Sequence, residues 1–313
     1  MFKKITLAIV GLLAPIALAL PVHAADEEKK PAVWLQISPV SNRVVMNASE
    51  SLEYTFNVEN IGSEAFSYHV YAAPYSIMNS DYEVNFSTEN SYTQLFRWIT
   101  FKESSGNFVD RAGFTIQPGD KHTIEYKINV PADIPSGGQS ATIFAESDPS
   151  GDTNPTGIKT VSRVGLVIYG RSAGDTKEVA TISDYRLDSF LTSGNVNSSA
   201  VVKNEGNTDF ETSYKLLVKS LFGKTVFEQN SVYDVLPETS RNVKIEWGET
   251  PRFGIFHVTA SVSALDQIEN STKIVIIMPV FVIILAILVL TFLVVWLIIL
   301  IRKRKSRKSR FVI

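Results

Sequence analysis

The chain contains no cysteine and only four histidines. Without thiols there can be no disulfide, no thiolate metal site and no cysteine nucleophile. Exported eukaryotic receptors ordinarily exploit the oxidising compartment with disulfides, so the absence points to a bacterial surface. Among the histidines, His69, His122 and His257 are isolated in sequence once His23 is removed with a leader, and Asp148, Asp152 and Asn154 lack the spacing of a calcium loop. No G-x-S-x-G, S-x-x-K or H-E-x-x-H pattern occurs. Carboxylates such as Glu83, Glu89 and Glu103 are dispersed and read as solvent-facing. These absences predict a non-enzymatic chain with no cofactor and no metal.

Charge is missing from one further place. From Ile274 to Ile301 the chain runs 28 residues of mostly Ile, Val, Leu and Phe with no ionisable side chain, then enters Arg302-Lys-Arg-Lys-Ser-Arg-Lys-Ser-Arg310. A helix needs about 20 apolar residues to cross a bilayer core. The run therefore predicts a transmembrane helix over 274–301 and a basic tail over 302–313, held in the cytoplasm by its Lys and Arg, with everything before Lys273 outside. The other terminus agrees. Lys3 and Lys4 precede the apolar stretch Ile5 to Leu20, and Val22-His23-Ala24 offers small residues for cleavage, which predicts a signal peptide over 1–24.

Leader and tail hold nine cations and no acid, so the formal charge of −2 becomes −11 for the body between them. An acidic body disfavours nucleic acid as a partner. The bilayer remains the partner of the span, and a cell-wall glycan such as peptidoglycan or a surface protein remains open for the body.

An internal repeat divides that body. Val58-Glu-Asn60-Ile-Gly62-Ser-Glu-Ala-Phe66 matches Val202-Lys-Asn204-Glu-Gly206-Asn-Thr-Asp-Phe210 as V-x-N-x-G-x-x-x-F. Val closes an alternating strand, Asn and Gly suit a turn with positive φ, and Phe opens the return strand, so each copy predicts a hairpin corner. Downstream, Ile116-Gln-Pro118-Gly119 precedes the alternating stretch Thr123 to Val130, as Val235-Leu-Pro237-Glu238 precedes Asn242 to Trp247. A small-residue loop follows in each copy, Pro135-Ser-Gly-Gly138 and Pro251-Arg-Phe-Gly254. Short strands at this spacing predict an all-β body of two tandem immunoglobulin-like β-sandwiches, over 25–175 and 176–271, ahead of the single helix.

The copies differ in length. Phe66 and Pro118 lie 52 positions apart, but Phe210 and Pro237 only 27, so the first copy carries an insertion, Tyr75 to Phe108, rich in aromatic and amide side chains. Tyr92, Leu95, Phe96 and Ile99 fall at helical spacing while Leu95, Arg97, Ile99 and Phe101 alternate, which predicts a short helix feeding a strand. Tyr82, Phe86, Tyr92 and Trp98 are the candidate ligand surface, because aromatic platforms flanked by amides suit sugar rings and protein partners. The competing reading has these aromatics closing the sandwich, Trp98 above all. Leu236-Pro237-Glu238-Thr239-Ser240 resembles a sortase signal, but its alignment with Pro118-Gly119 predicts a structural turn instead.

Ser38-Pro39, Val58-x-Asn60, Pro118-Gly119 and Val130-Pro131-Ala-Asp-Ile-Pro-Ser-Gly137-Gly138 together resemble the first domain of bacterial WxL-interacting cell-surface proteins. The layout is similar as well: leader, two immunoglobulin-like domains, C-terminal span and basic tail. The resemblance implies a membrane-anchored surface binding protein whose first domain engages peptidoglycan and whose second engages a protein, in the manner of an adhesion module. The alternative is a scaffold subunit of a cell-envelope membrane complex, recognised through its span.

Overall fold

A computed structural model of the chain describes residues 30–149 and 161–308; the leader over 1–24, the end of the basic tail, Asp152 and Asn154 lie outside the described residues. The first half contains β1 (Leu35–Ser38), β2 (Ser41–Met46), β3 (Ser51–Asn60), β4 (Phe66–Pro74) and the short β5 (Ser76–Ile77) and β6 (Val84–Asn85). A 3-10 helix (Gln94–Trp98) feeds β7 (Ile99–Lys102), β8 (Phe108–Val109), β9 (Arg111–Ile116), β10 (Lys121–Asn129), β11 (Gly137–Ser147) and β12 (Arg163–Ser172). The second half contains β13 (Ala180–Leu187), β14 (Phe190–Leu191), β15 (Val196–Asn204), β16 (Phe210–Ser220), β17 (Thr225–Val235), β18 (Ser240–Trp247), β19 (Gly254–Ala264) and β20 (Gln267–Ile277), and α1 (Val280–Lys308) closes the chain.

Alternation of apolar side chains builds two cores. Sheets ordered β1-β3-β10-β7-β8 and β2-β12-β11-β4-β9 enclose Phe56, Tyr68, Tyr126, Ile143 and Leu166. Sheets ordered β13-β15-β18 and β14-β20-β19-β16-β17 enclose Tyr214, Val218, Trp247 and Val258. In each half one strand runs parallel to the last, β2 beside β12 and β14 beside β20, while the other main-sheet pairings are antiparallel. This is an immunoglobulin-like arrangement held by packing without a disulfide.

The repeated corner differs from the hairpin read in the sequence. β3 and β4 lie in different sheets, as do β15 and β16, so the corner is an arch that carries the chain across the core. The reason is the Asn side chain. Asn60 Nδ2 donates to the Glu64 carbonyl (2.8 Å) and its Oδ1 accepts from Gly62 N–H (2.9 Å); Asn204 does the same with Thr208 (2.7 Å) and Gly206 (2.9 Å). A buried side-chain amide thus takes the place of the backbone ladder a hairpin would supply. Neither glycine is there for positive φ. A Cβ on Gly62 would lie 2.6 Å from the Ala32 carbonyl oxygen, and one on Gly206 2.1 Å from that of Lys177, because the segment entering each half crosses directly over the arch. The Pro-Gly turn closes on the same Asn: Gly119 N–H donates to the Asn60 carbonyl and Asn204 N–H to that of Thr239. Gly119 and Glu238 share the left-handed conformation, φ 80° and 56°. Leu236 and Pro237 are buried, so the sortase-like stretch is a turn between β17 and β18.

The apolar C-terminal run has two structures in it. Its first residues belong to β20, where Val275 and Ile277 are buried in the second core. Only Met278 and Pro279 separate that strand from α1. Among the described residues Val280–Arg302, 23 residues, is the segment long and apolar enough to cross a membrane; its 18-residue window has mean hydropathy 3.4 and is not buried. Read in sequence, strand and helix merge because both are Ile- and Val-rich.

Candidate functional site

The insertion packs over β11 and reaches the second sandwich. Ser140 Oγ donates to the Tyr75 carbonyl (2.8 Å) and Gln139 Nε2 to that of Ser91 (2.8 Å), which fixes both ends of the segment on the sheet. Between them the β5–β6 hairpin projects its tip, Ser80-Asp81-Tyr82, onto β18 and the turn that precedes it. Tyr82 sits in the left-handed region (φ 65°). Its hydroxyl accepts from Leu236 N–H at 2.7 Å, and Arg241 stacks on its ring at 3.9 Å. Asn242 N–H donates to the Ser80 carbonyl (2.6 Å) and Asn242 Nδ2 to Asp81 (3.0 Å). Burial holds the Tyr82 phenol up at about 12.

Tyr92 also faces the second half, donating to Glu238 at 3.0 Å. Phe86 instead lies edge-on to Phe144 (4.8 Å), with Arg163 over both rings. Trp98 packs against the first core. The four aromatics singled out in the sequence therefore do not form a common exposed platform. Two contact the second sandwich, one is covered by a guanidinium, and one belongs to the core side. The 3-10 helix and β7 do follow the mixed periodicity of 92–101, with Leu95 fully buried.

A second group completes this joint. Arg43, on β2, pairs with Asp209, Asp234 and Glu211, and lies 4.8 Å from the Tyr169 ring centroid. Desolvation raises the Asp234 carboxyl above its ordinary value in spite of Arg43. Arg171 donates to the Asp209 carbonyl (2.9 Å) and pairs with Glu178. Gly137 and Gly138 allow the closest approach: a Cβ on Gly137 would lie 2.2 Å from the Asn207 carbonyl oxygen, which accepts from Gly138 N–H at 2.7 Å. The arch Asn204–Phe210 of one half is thus seated on the small-residue loop of the other. Both motifs are visible in the sequence, but nothing in them reveals that they meet.

Histidines judged isolated in the sequence converge in part. His69 and His122 line one open cleft of about 490 Å³; His69 pairs with Asp148 (3.0 Å), and His122 Nδ1 hydrogen-bonds Tyr68 (3.0 Å). No group of three or more metal-capable side chains occurs among the described residues. Glu83 and Glu89 are exposed and Glu103 half-buried, and they are bonded to Asn79, Arg97 and Ser105.

No family model matches the chain, and no curated protein matches it. Among solved structures it is similar to the class 5 fimbriae chaperone CfaA (11% identity, covering 76% of this chain and 98% of that one, TM-score 0.35). It is similar also to the Escherichia coli chaperone DraB (12% identity, 79% and 97% covered, TM-score 0.34). Identities and scores this low transfer no function.

Proposed function

We propose that the chain is a membrane-anchored binding module of a bacterial cell envelope, with its sandwiches outside and its basic tail inside. The observation that carries this reading is the junction at Ile277–Val280: the last strand of the second core passes into the apolar helix after two residues, so the body is mounted on the bilayer without a stalk. The joint at Arg43, Tyr82 and Gly138 couples the first sandwich to that mount. A fixed arm holding one sandwich away from the lipid suits recognition, and the resemblance to WxL-interacting surface proteins supports the same assignment. The ligand classes are a wall glycan and a surface protein.

A scaffold role is the second reading, favoured by the span itself, most of whose Ile, Val, Leu and Phe side chains are exposed and free to pack against another helix. Full-length protein and a form lacking 280–302 but still exported separate the two. A binding module without its span still co-sediments with isolated walls or captures its surface partner. If every interaction is lost with the span, the scaffold reading replaces it.

A further inference from the structure

The free end of the second sandwich presents bulky apolar side chains to solvent. Phe222 is 94% exposed, Phe253 67% and Leu221 55%, in two separate turns. Register places them together at one level. Gly254 pairs with Ile277, which sets Phe253 just beyond the end of β20. Ser220 pairs with Phe256, two residues short of Gly254, and the chain then continues through Leu221 to Phe222, which brings that turn down to the same level. Strands advance about 3.3 Å per residue, so both turns lie within about one residue's rise of Ile277, where the helix is about to begin.

The span fixes what lies there. Val280–Arg302 as a helix is about 34 Å long, slightly more than the roughly 30 Å hydrocarbon thickness, so Val280 stands at the outer boundary of the core. The side chains level with Ile277 then fall in the headgroup region, where aromatic residues are favoured. Lys219, Lys224 and Arg252 are exposed at this end, beside two exposed acids, Glu246 and Glu249. A cleft of about 300 Å³ between rim and helix is lined by Arg252, Ile277, Pro279 and Phe281. The repeat supplies an independent indication: Pro251-Arg-Phe-Gly254 is the counterpart of Pro135-Ser-Gly-Gly138, the loop that receives the second sandwich in the first half. The same end of the fold is a docking end in both copies, bearing glycines where it meets protein and Phe253 with Arg252 where it meets lipid.

We propose that Leu221, Phe222 and Phe253 form a lipid-inserting rim that seats the second sandwich in the outer headgroup layer and fixes the tilt of the arm. This rests on the span reading above. The absence of native cysteine allows a single environment-sensitive label to be placed in the full-length chain at Lys224→Cys, beside the rim, at Ile268→Cys, at the far end of β20, or at Leu290→Cys, within the span. Each is reconstituted in vesicles of equal parts phosphatidylcholine and phosphatidylglycerol with a fraction of doxyl-quencher lipid. The label at 224 is expected to lose about half of its emission, as for a group at the headgroup–acyl boundary. That loss disappears when Phe222→Ser and Phe253→Ser are added, and the label at 268 is unaffected throughout. Quenching at 290 without quenching at 224 overturns the rim alone. No quenching at either position overturns the span and the rim with it. A blue shift at 224 that ignores the quencher and fades as protein is diluted in the bilayer assigns the rim to a second copy of the chain.

Discussion

Replacing Tyr82 by Ala is expected to weaken the docking of the first sandwich on the second without unfolding either. The ring lies outside both hydrophobic cores, so its loss leaves their packing intact. It does remove the Arg241 stack, worth about 0.5–2 kcal/mol, and leaves Leu236 N–H without its acceptor, at about 1–3 kcal/mol. Ala retains the left-handed backbone penalty of φ 65°, so the comparison isolates the side chain. Together these terms give about 1.5–5 kcal/mol, a change in the docked-to-undocked ratio of roughly one to four orders of magnitude. Energy transfer between dyes on Glu64→Cys and Gln229→Cys, one in each sandwich, reads the result in single molecules. The parent should give one narrow population and the Tyr82→Ala chain a broad or second one, with Tyr82→Phe between them. An unchanged narrow population would refute the clamp and return Tyr82 to the list of free surface aromatics.

Other outcomes follow from the same geometry. Gly206→Ala places a Cβ 2.1 Å from the Lys177 carbonyl oxygen and should destabilise the second sandwich by several kcal/mol in denaturant melts, whereas Gly119→Ala meets open space and should cost only the left-handed strain, about 1–2 kcal/mol. Equal effects would mean that close approach is not what selects glycine in the arch. Thr239→Ala removes a bond to the Leu236 carbonyl, about 0.5–1.5 kcal/mol, and should leave surface attachment and gel mobility unchanged; loss of a wall-linked species would make the stretch a sorting signal. Because the Tyr82 phenol is raised from 10 to about 12 by burial, its contribution to docking is complete below its ordinary value and lost as pH rises through about 12. The phenolate titration of the parent minus that of Tyr82→Phe should show that late step, and a difference centred at the ordinary value would contradict the buried contact.

The repeated motifs made much of the fold legible. V-x-N-x-G recurs because two arches need the same buried amide and the same crossing glycine, and a proline-led turn follows each, Pro118-Gly119 and Pro237-Glu238, so the spacing survives in the sequence. Their three-dimensional sense did not, since an Asn that substitutes for a ladder and an Asn that turns a hairpin look alike in one dimension. The boundary at Ile277 was hidden for a similar reason, a core strand and a lipid-facing helix being equally apolar. The insertion was visible through unequal lengths, but Tyr82 meets Leu236 across 154 positions, and only the folded chain brings them together. Aromatic content signals burial or contact without saying which surface is covered.

A membrane-anchored surface module must hold its two ends on opposite sides of the bilayer. Single cysteines at Glu64, on the first arch, and at Ser306, in the basic tail, can be challenged with a membrane-impermeant maleimide on intact wall-stripped cells and again after permeabilisation. Immediate labelling at 64, with labelling at 306 only after permeabilisation, is the predicted result. Labelling at 306 in intact cells with protection at 64 would contradict the membrane-anchored surface module.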